Sequence, residues 1–218
     1  SNFDPQIHGY LPSKASCNAT IRNARKKAGH TVKEITCIDD MKEEYRNTLG
    51  NRPRKFLQTI IHSNDAHTLL FATEESLISL FKSQIWFADG IYKATDKPYL
   101  QIYVIHGSLI GDTMNRIWPL IYCIMSHKRM ALYEAIFSYI KDYGYEHNLQ
   151  LETQFAMIDF ELAVKGAIEN VFDNQIKVFG CSFHLGKTLR ERAERIDRGI
   201  FGCSEQQLNF NKIISLSY

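Results

Sequence analysis

The sequence predicts an α/β fold. Its expected form is a mixed sheet of three antiparallel strands followed by two parallel strands with crossover helices, preceded by a mainly helical N-terminal region. Three observations predict it. Strand-forming residues crowd between Ile85 and Met125; short apolar strands alternate with amphipathic helical stretches from Arg129 onward; and residues 41–62 read as mostly helical, broken at Gly50-Asn51-Arg52-Pro53.

Each element has its own signal. A short strand is expected at His67–Phe71, after the turn residues Asn64-Asp65, and a helix at Glu74–Lys82 with Thr73 as its N-cap. Ile85–Ala94, Tyr99–His106 and Pro119–Met125 are rich in Trp, Tyr, Ile and Val, as strands prefer. Asp96-Lys97-Pro98 supplies a turn that pairs the first two as a hairpin. From Arg129 to Tyr143, Leu132, Ile136, Phe137 and Ile140 recur on one helical face, and Gly144 ends the helix. A compact strand, Phe155 to Asp159, runs into a helix from Glu161 to Phe172, with Ala163, Ala167, Ile168 and Val171 facing inward. A last strand at Gln175–Phe183 and a charged helix at Leu185–Arg198 complete the series. The later strands need crossover helices and so lie parallel. The order strand, strand, strand, helix, strand, helix, strand, helix is that of the ribonuclease H-like fold.

Bulk properties narrow the function classes. The 218 residues are 44% apolar and 12% aromatic, which supports a sizeable core and argues against wholesale disorder. Net charge is only +2, but Lys14, Arg22, Arg25, Lys26, Lys27 and Lys33 precede the first following acid, Glu34. Such a basic run suits a phosphate backbone, and equally a solvated arm. The five cysteines are scattered and form no CxxC, so a reducing cytosolic or nuclear setting is expected. No apolar run reaches the length of a membrane helix, so no membrane partner is expected. The absence of an initiator Met and the apolar stretch ending at Tyr218 suggest an interrupted chain.

Two aspartates stand out. Asp89 sits in the apolar strand Trp86-Phe87-Ala88-Asp89-Gly90, where a carboxylate costs free energy unless it is paired, capped or metal-bound. Asp159 ends the run Phe155–Ile158 directly before a helix, where an Asp is also an ordinary N-cap. In the expected topology the first and fourth core strands are neighbours. The two carboxylates then share one sheet region, and close carboxylates repel unless they share a proton or hold cations. Mg²⁺ or Mn²⁺, in a two-metal site, is the expected cofactor for phosphodiester chemistry there. Cys181-Ser182-Phe183-His184 is a CxxH at the end of the fifth core strand. It is read as a buried Cys with a hydrogen-bonded His, or a His facing the site, rather than as half of a structural zinc centre, which needs two more ligands. Glu194 follows Asp159 by 35 residues and is a local candidate for a third acid, although charged residues fill that helix. Glu161 is too close to Asp159 for that role and is read as a supporting residue or a helix N-terminal one.

Five blocks resemble the Mutator-like element (MULE) transposase domain. They are Trp86-Phe87-Ala88-Asp89-Gly90-Ile91-Tyr92-Lys93, Tyr103-Val104-Ile105-His106-Gly107, Pro119-Leu120-Ile121-Tyr122, Ile158-Asp159-Phe160-Glu161 and Gly180-Cys181-Ser182-Phe183-His184-Leu185. They occur in order over roughly residues 65–200, and Ile91 stands where the family usually has Thr. The resemblance implies a DDE-type recombinase that cuts transposon ends and joins them to target DNA. Asp89 and Asp159 match its first two acids, and Cys181 and His184 match its CxxH. The family's third acid, a Glu beyond a helical insertion, would fall past Tyr218.

The expected organisation is a basic arm and helical accessory region over 1–64, a core over 65–200 and the start of an interrupted region over 201–218. The leading reading is metal-dependent DNA strand cleavage and transfer in cut-and-paste transposition, with Arg22, Arg25, Lys26 and Lys27 holding DNA. A domesticated or decayed DNA-binding descendant without catalysis is the alternative; a nuclease acting on RNA–DNA hybrids would need further acids from Glu191, Glu194 and Asp197. Homo-oligomerisation is left open.

Overall fold

The computed structural model describes residue 20, residues 23–24, 34–92, 95, 97–114 and 116–196, with Lys187 and residues 193–196 described through their backbone only. Two compact units divide the chain, Ser1–Glu34 and Ile35–Tyr218, and every element named below belongs to the second.

Before the sheet the described residues form a 3-10 turn, Ile38–Asp40, and a four-residue helix α1, Glu43–Arg46. Seven strands follow: β1 (Leu57–Ser63), β2 (Ala66–Phe71), β3 (Ile85–Ile91), β4 (Gln101–Ser108), β5 (Ile117–Met125), β6 (Phe155–Ile158) and β7 (Lys177–Gly180). Helix α2 (Glu74–Lys82) lies between β2 and β3, α3 (Met130–Glu146) between β5 and β6, and α4 (Leu162–Val171) between β6 and β7. Helix α5 (Ser182–Ile196) follows β7. The strands form one mixed sheet in the order β1-β2-β5-β4-β3-β6-β7. All pairs from β1 to β3 are antiparallel, whereas β3–β6 and β6–β7 are parallel.

One expectation fails. Residues 57–63 form a strand, not the second half of a helical region. Thr59, Ile60 and Ile61 supply the β-branched side chains that strands favour. Asn64 takes a left-handed φ of 55°, which Asn tolerates, and a two-residue loop then turns the chain so that Ser63 faces Ala66. Docking on β2 decides the outcome, because every residue of β2 is buried. A second correction concerns the CxxH: the last strand ends at Gly180, and Ser182, Phe183 and His184 lie on α5. The Leu185 N–H donates to the Cys181 carbonyl at 3.1 Å, the first bond of that helix.

Burial explains the layers. Helices α2, α3 and α4 cover one sheet face and enclose Leu80, Trp86, Ile121, Phe137, Ile158 and Ile168. The expected stripe on α3 is real: Leu132, Ile136, Phe137 and Ile140 are all fully buried. Thr73 caps α2 as expected, its hydroxyl accepting from the Ser76 N–H at 3.1 Å. A smaller cluster of Met41, Leu57, Leu69, Phe71 and Tyr99 packs with Ile35 and Phe56, which precede β1. Among the described residues no comparable cluster includes the outward positions of β3, β6 and β7: Phe87, Phe155 and Met157 are half-buried and Phe179 is exposed.

Phe137 stacks on Trp86 at 6.5 Å and meets Phe172 edge-on at 6.2 Å. Phe137→Ala should lower unfolding stability by about 3–5 kcal/mol, as cavities left by large aromatics do. Urea unfolding measures it, and a loss under about 1 kcal/mol would contradict this account of the core.

Candidate active site

Strand β3 is where the sheet changes sense, antiparallel to β4 on one side and parallel to β6 on the other. The β3–β6 register aligns Trp86 with Ala156 and Ala88 with Ile158. Asp89 is the next residue of β3, and Asp159 is the next residue after β6. Neighbouring strands lie about 4.8 Å apart, so the two backbones at these positions are adjacent. Both side chains are half-buried. Alternation along β3 turns Ala88 into the core and Asp89 toward the half-open face.

Local hydrogen bonds orient each carboxylate. The Gly90 N–H donates to Asp89 Oδ1 at 2.8 Å, and the Glu161 N–H donates to Asp159 Oδ1 at 3.3 Å. His184 Nε2 lies 3.7 Å from Asp89 Oδ2, an ion pair when the imidazole is protonated. Its Nδ1 is buried and makes no hydrogen bond to the described residues. Cys181 directly precedes α5 with a free, half-buried thiol, and its N–H donates to the Ile158 carbonyl at 2.7 Å. The CxxH therefore joins the end of β6 to the helix that brings His184 to Asp89.

Asp159 titrates above the usual carboxylate range, chiefly because burial disfavours its charge, and then because the Glu161 and Asp89 carboxylates repel it. Glu161 immediately precedes α4, yet its side chain makes no capping bond. It turns instead into a polar cluster. Lys128 Nζ is 2.7 Å from Glu161 Oε2, the Tyr133 hydroxyl donates to Oε1 at 3.1 Å, and the Tyr92 hydroxyl is 3.4 Å from Oε2. Gln101 Nε2 donates in turn to the Tyr133 oxygen at 2.6 Å. Partial burial opposes the charge on Lys128, but its bonds to Glu161 and Tyr92 prevail and hold the ammonium above its ordinary range. Burial first, and the Glu161 charge second, push the Tyr133 phenol well up, so it stays protonated and donates.

Gly90 follows from this arrangement. A Cβ there would stand 2.7 Å from Gln101 Oε1 and 3.1 Å from the Tyr92 hydroxyl, both members of or neighbours to the Glu161 cluster. A side chain at position 90 would require the Gln101 amide to shift.

Residues 85–188 match the MULE transposase domain. The match runs from β3 into α5 and takes in Asp89, Asp159, Glu161, Cys181 and His184. The family resemblance of the sequence blocks is thereby shown over that span. No curated protein matches the chain significantly.

The other expected residues are distributed differently. Glu194 lies on α5, beyond the MULE match, with its backbone alone described. Arg22, Arg25, Lys26 and Lys27 lie outside the described residues. Among the described residues no group of three or more His, Cys, Asp or Glu is arranged to hold a metal ion, and no helix is long and apolar enough to cross a membrane. Lys128, Tyr133 and Gln101 were not expected at the site. Tyr92 had a local signal as the aromatic of the Asp-Gly block, whereas Lys128 and Gln101 have none, because only the folded sheet brings them to Glu161. A pocket of about 400 Å³ lined by Phe81, Lys141, Tyr145, Leu151 and Asp173, among others, is formed by none of these residues.

Because the pKa of Asp159 is raised on folding, its ionisation opposes folding above the unfolded value, ~3.9. The penalty is complete once pH exceeds the raised pKa. Asp159→Asn should therefore raise Tm at pH 7, and the gain should shrink as pH falls through the raised pKa and vanish below ~3.9. Calorimetry across pH reads this, and a lower Tm in the variant at pH 7 would refute the sign.

Proposed function

We propose that this chain carries the catalytic core of a transposase-type DNA recombinase, acting by metal-dependent strand cleavage and transfer on an RNase H-like sheet. One observation carries the reading: inside the MULE match, Asp89 on β3 and Asp159 directly after β6 each follow the paired residues Ala88 and Ile158 of two adjacent parallel strands. The strand order supports the fold assignment, since β5-β4-β3-β6-β7 reads as three antiparallel strands followed by two parallel ones with crossover helices.

The residues fit a hard divalent cation. Both candidate ligands are carboxylate oxygens, and the burial and repulsion that act against ionised Asp159 are what a bound cation offsets. Mg²⁺ or Mn²⁺ held by Asp89 and Asp159 would supply Lewis acidity toward phosphodiester oxygens. The chain's own contribution is orientation. The Gly90 N–H and His184 hold Asp89, the Glu161 N–H holds Asp159, and the half-open face of β3 and β6 leaves room for a nucleic-acid backbone. The basic segment with Arg22, Arg25, Lys26 and Lys27 supplies counter-charge for DNA, as transposon ends and target. Glu194, on the helix that carries His184, is the candidate in this chain for a third acid.

A second reading, a domesticated or decayed protein that binds DNA without cutting it, is favoured by the lack of a third ligand among the described residues. Metal binding and nicking separate the two. Under the leading reading the wild-type chain binds Mn²⁺ and nicks DNA, and Asp89→Ala abolishes both; Mn²⁺ affinity unchanged in that variant would falsify the two-aspartate site. DNA binding with neither metal binding nor nicking supports the second reading.

Charge reversal at Arg25, Lys26 and Lys27 tests the basic segment. The slope of log K against log salt should become shallower by up to about 3, close to one for each phosphate that the segment ceases to neutralise. An unaltered slope returns the segment to a solvated arm.

A further inference from the structure

The polar cluster behind Asp159 is more than a helix start requires. Glu161 leaves its capping bond unmade and satisfies both carboxylate oxygens elsewhere. Each partner is itself fixed. Lys128 Nζ also donates to the Tyr92 hydroxyl at 2.7 Å and lies 4.2 Å from the centre of that ring. Tyr133 is held through Gln101 and packs edge-on against Tyr103 at 5.1 Å. The Lys128 and Glu161 side chains are 30% and 15% exposed, so this pair is far less solvated than an ordinary surface ion pair. The outcome is a carboxylate tied to Tyr92 just after β3, to α3, to the β5–α3 loop and, through Tyr133, to β4, on a residue whose main-chain N–H holds Asp159 Oδ1.

We propose that Lys128 and Glu161 form a positioning clamp for Asp159, with Tyr133 and Tyr92 fixing its two ends. Glu161 touches no reacting group in this scheme. It sets the turn between β6 and α4, and through that turn the direction of the Asp159 carboxylate. Lys128 offsets part of the Glu161 charge, so the device orients a ligand while adding less to the negative field around it than an unpaired carboxylate would. The clamp presupposes the metal site proposed for Asp89 and Asp159 and deepens it.

Orientation and charge predict opposite signs for Lys128. As a clamp, its loss weakens cation binding; as a mere positive charge nearby, its loss strengthens it. The experiment is Mn²⁺ titration of the 218-residue chain, followed by the electron paramagnetic resonance of free Mn²⁺, with a melting curve for each variant. Glu161→Gln and Lys128→Met should each weaken Mn²⁺ binding about tenfold, as the loss of a group orienting a metal ligand does. Lys128→Arg should recover most of that loss, and the double variant should be little weaker than either single one. Should Lys128→Met fail to melt cooperatively, Tyr133→Phe decides, since it removes one donor to Glu161 and keeps every charge; weaker binding is expected. Tighter binding in Lys128→Met, or affinities within roughly twofold of wild type in both Lys128→Met and Glu161→Gln, overturns the clamp while Asp89→Ala still abolishes binding. If the wild-type chain binds no Mn²⁺, or Asp89→Ala binds it equally, the metal-site reading falls and the clamp with it.

Discussion

The parallel pairing of β3 with β6 is the constraint on which the rest depends. Parallel strands end on the same side, so the residues following Ala88 and Ile158 emerge together. An antiparallel β6 would carry Asp159 to the Ile85 end of β3, the far side of the sheet from Asp89. A two-residue slip in register would separate the backbones of the two aspartates by a further ~6.6 Å along the strand. What prevents the slip is burial. Trp86, Ala88, Ala156 and Ile158 all face the helical layer, and Trp86 is further pinned by its indole N–H, which donates to the Leu80 carbonyl at 2.9 Å. The core residues of β3 and β6 thus hold the carboxylates in line without touching them.

That layer is asymmetric. On one face α2, α3 and α4 close the core over the whole sheet, whereas on the other the cluster around Leu69, Phe71 and Tyr99 lies over the β1–β2–β5 side. The outward positions of β3, β6 and β7 stay partly open, and this is where Asp89 and His184 meet. Apolar Phe155 and Phe179 at 5.8 Å border the same face. Incomplete cover forgoes stabilisation that burial would supply, while it keeps a charged side chain accessible. Asp159 shows the balance from the electrostatic side. Burial and neighbouring carboxylates both oppose its charge, the pattern that functional sites tend to keep and stability alone would remove.

Local patterns are enough for much of this. The alternation in Ile85–Ile91, the helical stripe on α3 and the Thr73 cap all act within a few residues, and each is visible as spacing. The pairing of β3 with β6 follows from the need of short apolar strands for crossover helices. Residues 57–63 read as helix because Phe56 to His62 suits a helix face or a strand, and only docking against the fully buried β2 chooses. The CxxH reads as the end of a strand because Phe179 and Phe183 look alike in sequence, although Gly180 ends the strand between them. The aspartates can be named because charges in apolar strands are conspicuous. Lys128 and Gln101 cannot, since a Lys in a short basic stretch before a helix and a Gln opening a strand are ordinary until folding joins them through Glu161 and Tyr133.

The Asp-Gly dipeptide shows how the two faces of one strand come to be coupled. Alternation turns Asp89 outward to His184 and leaves position 90 facing the core. There Gln101 crosses close over the backbone to reach Tyr133, and Tyr133 holds Glu161. A Cβ on Gly90 would stand 2.7 Å from the Gln101 amide oxygen, which would have to shift to admit it. The same glycine's N–H also holds the Asp89 carboxylate. One residue therefore carries two constraints, an oriented carboxylate on the open face and the passage of a buried polar chain on the other. A Cβ at 90 would press on the Gln101 amide, which holds Tyr133, and on the Tyr92 hydroxyl, both partners in the chain that ends at Glu161. The two carboxylates are linked by the backbone register of β3 and β6, and the polar chain from Gln101 through Tyr133 to Glu161 ends two residues from Asp159.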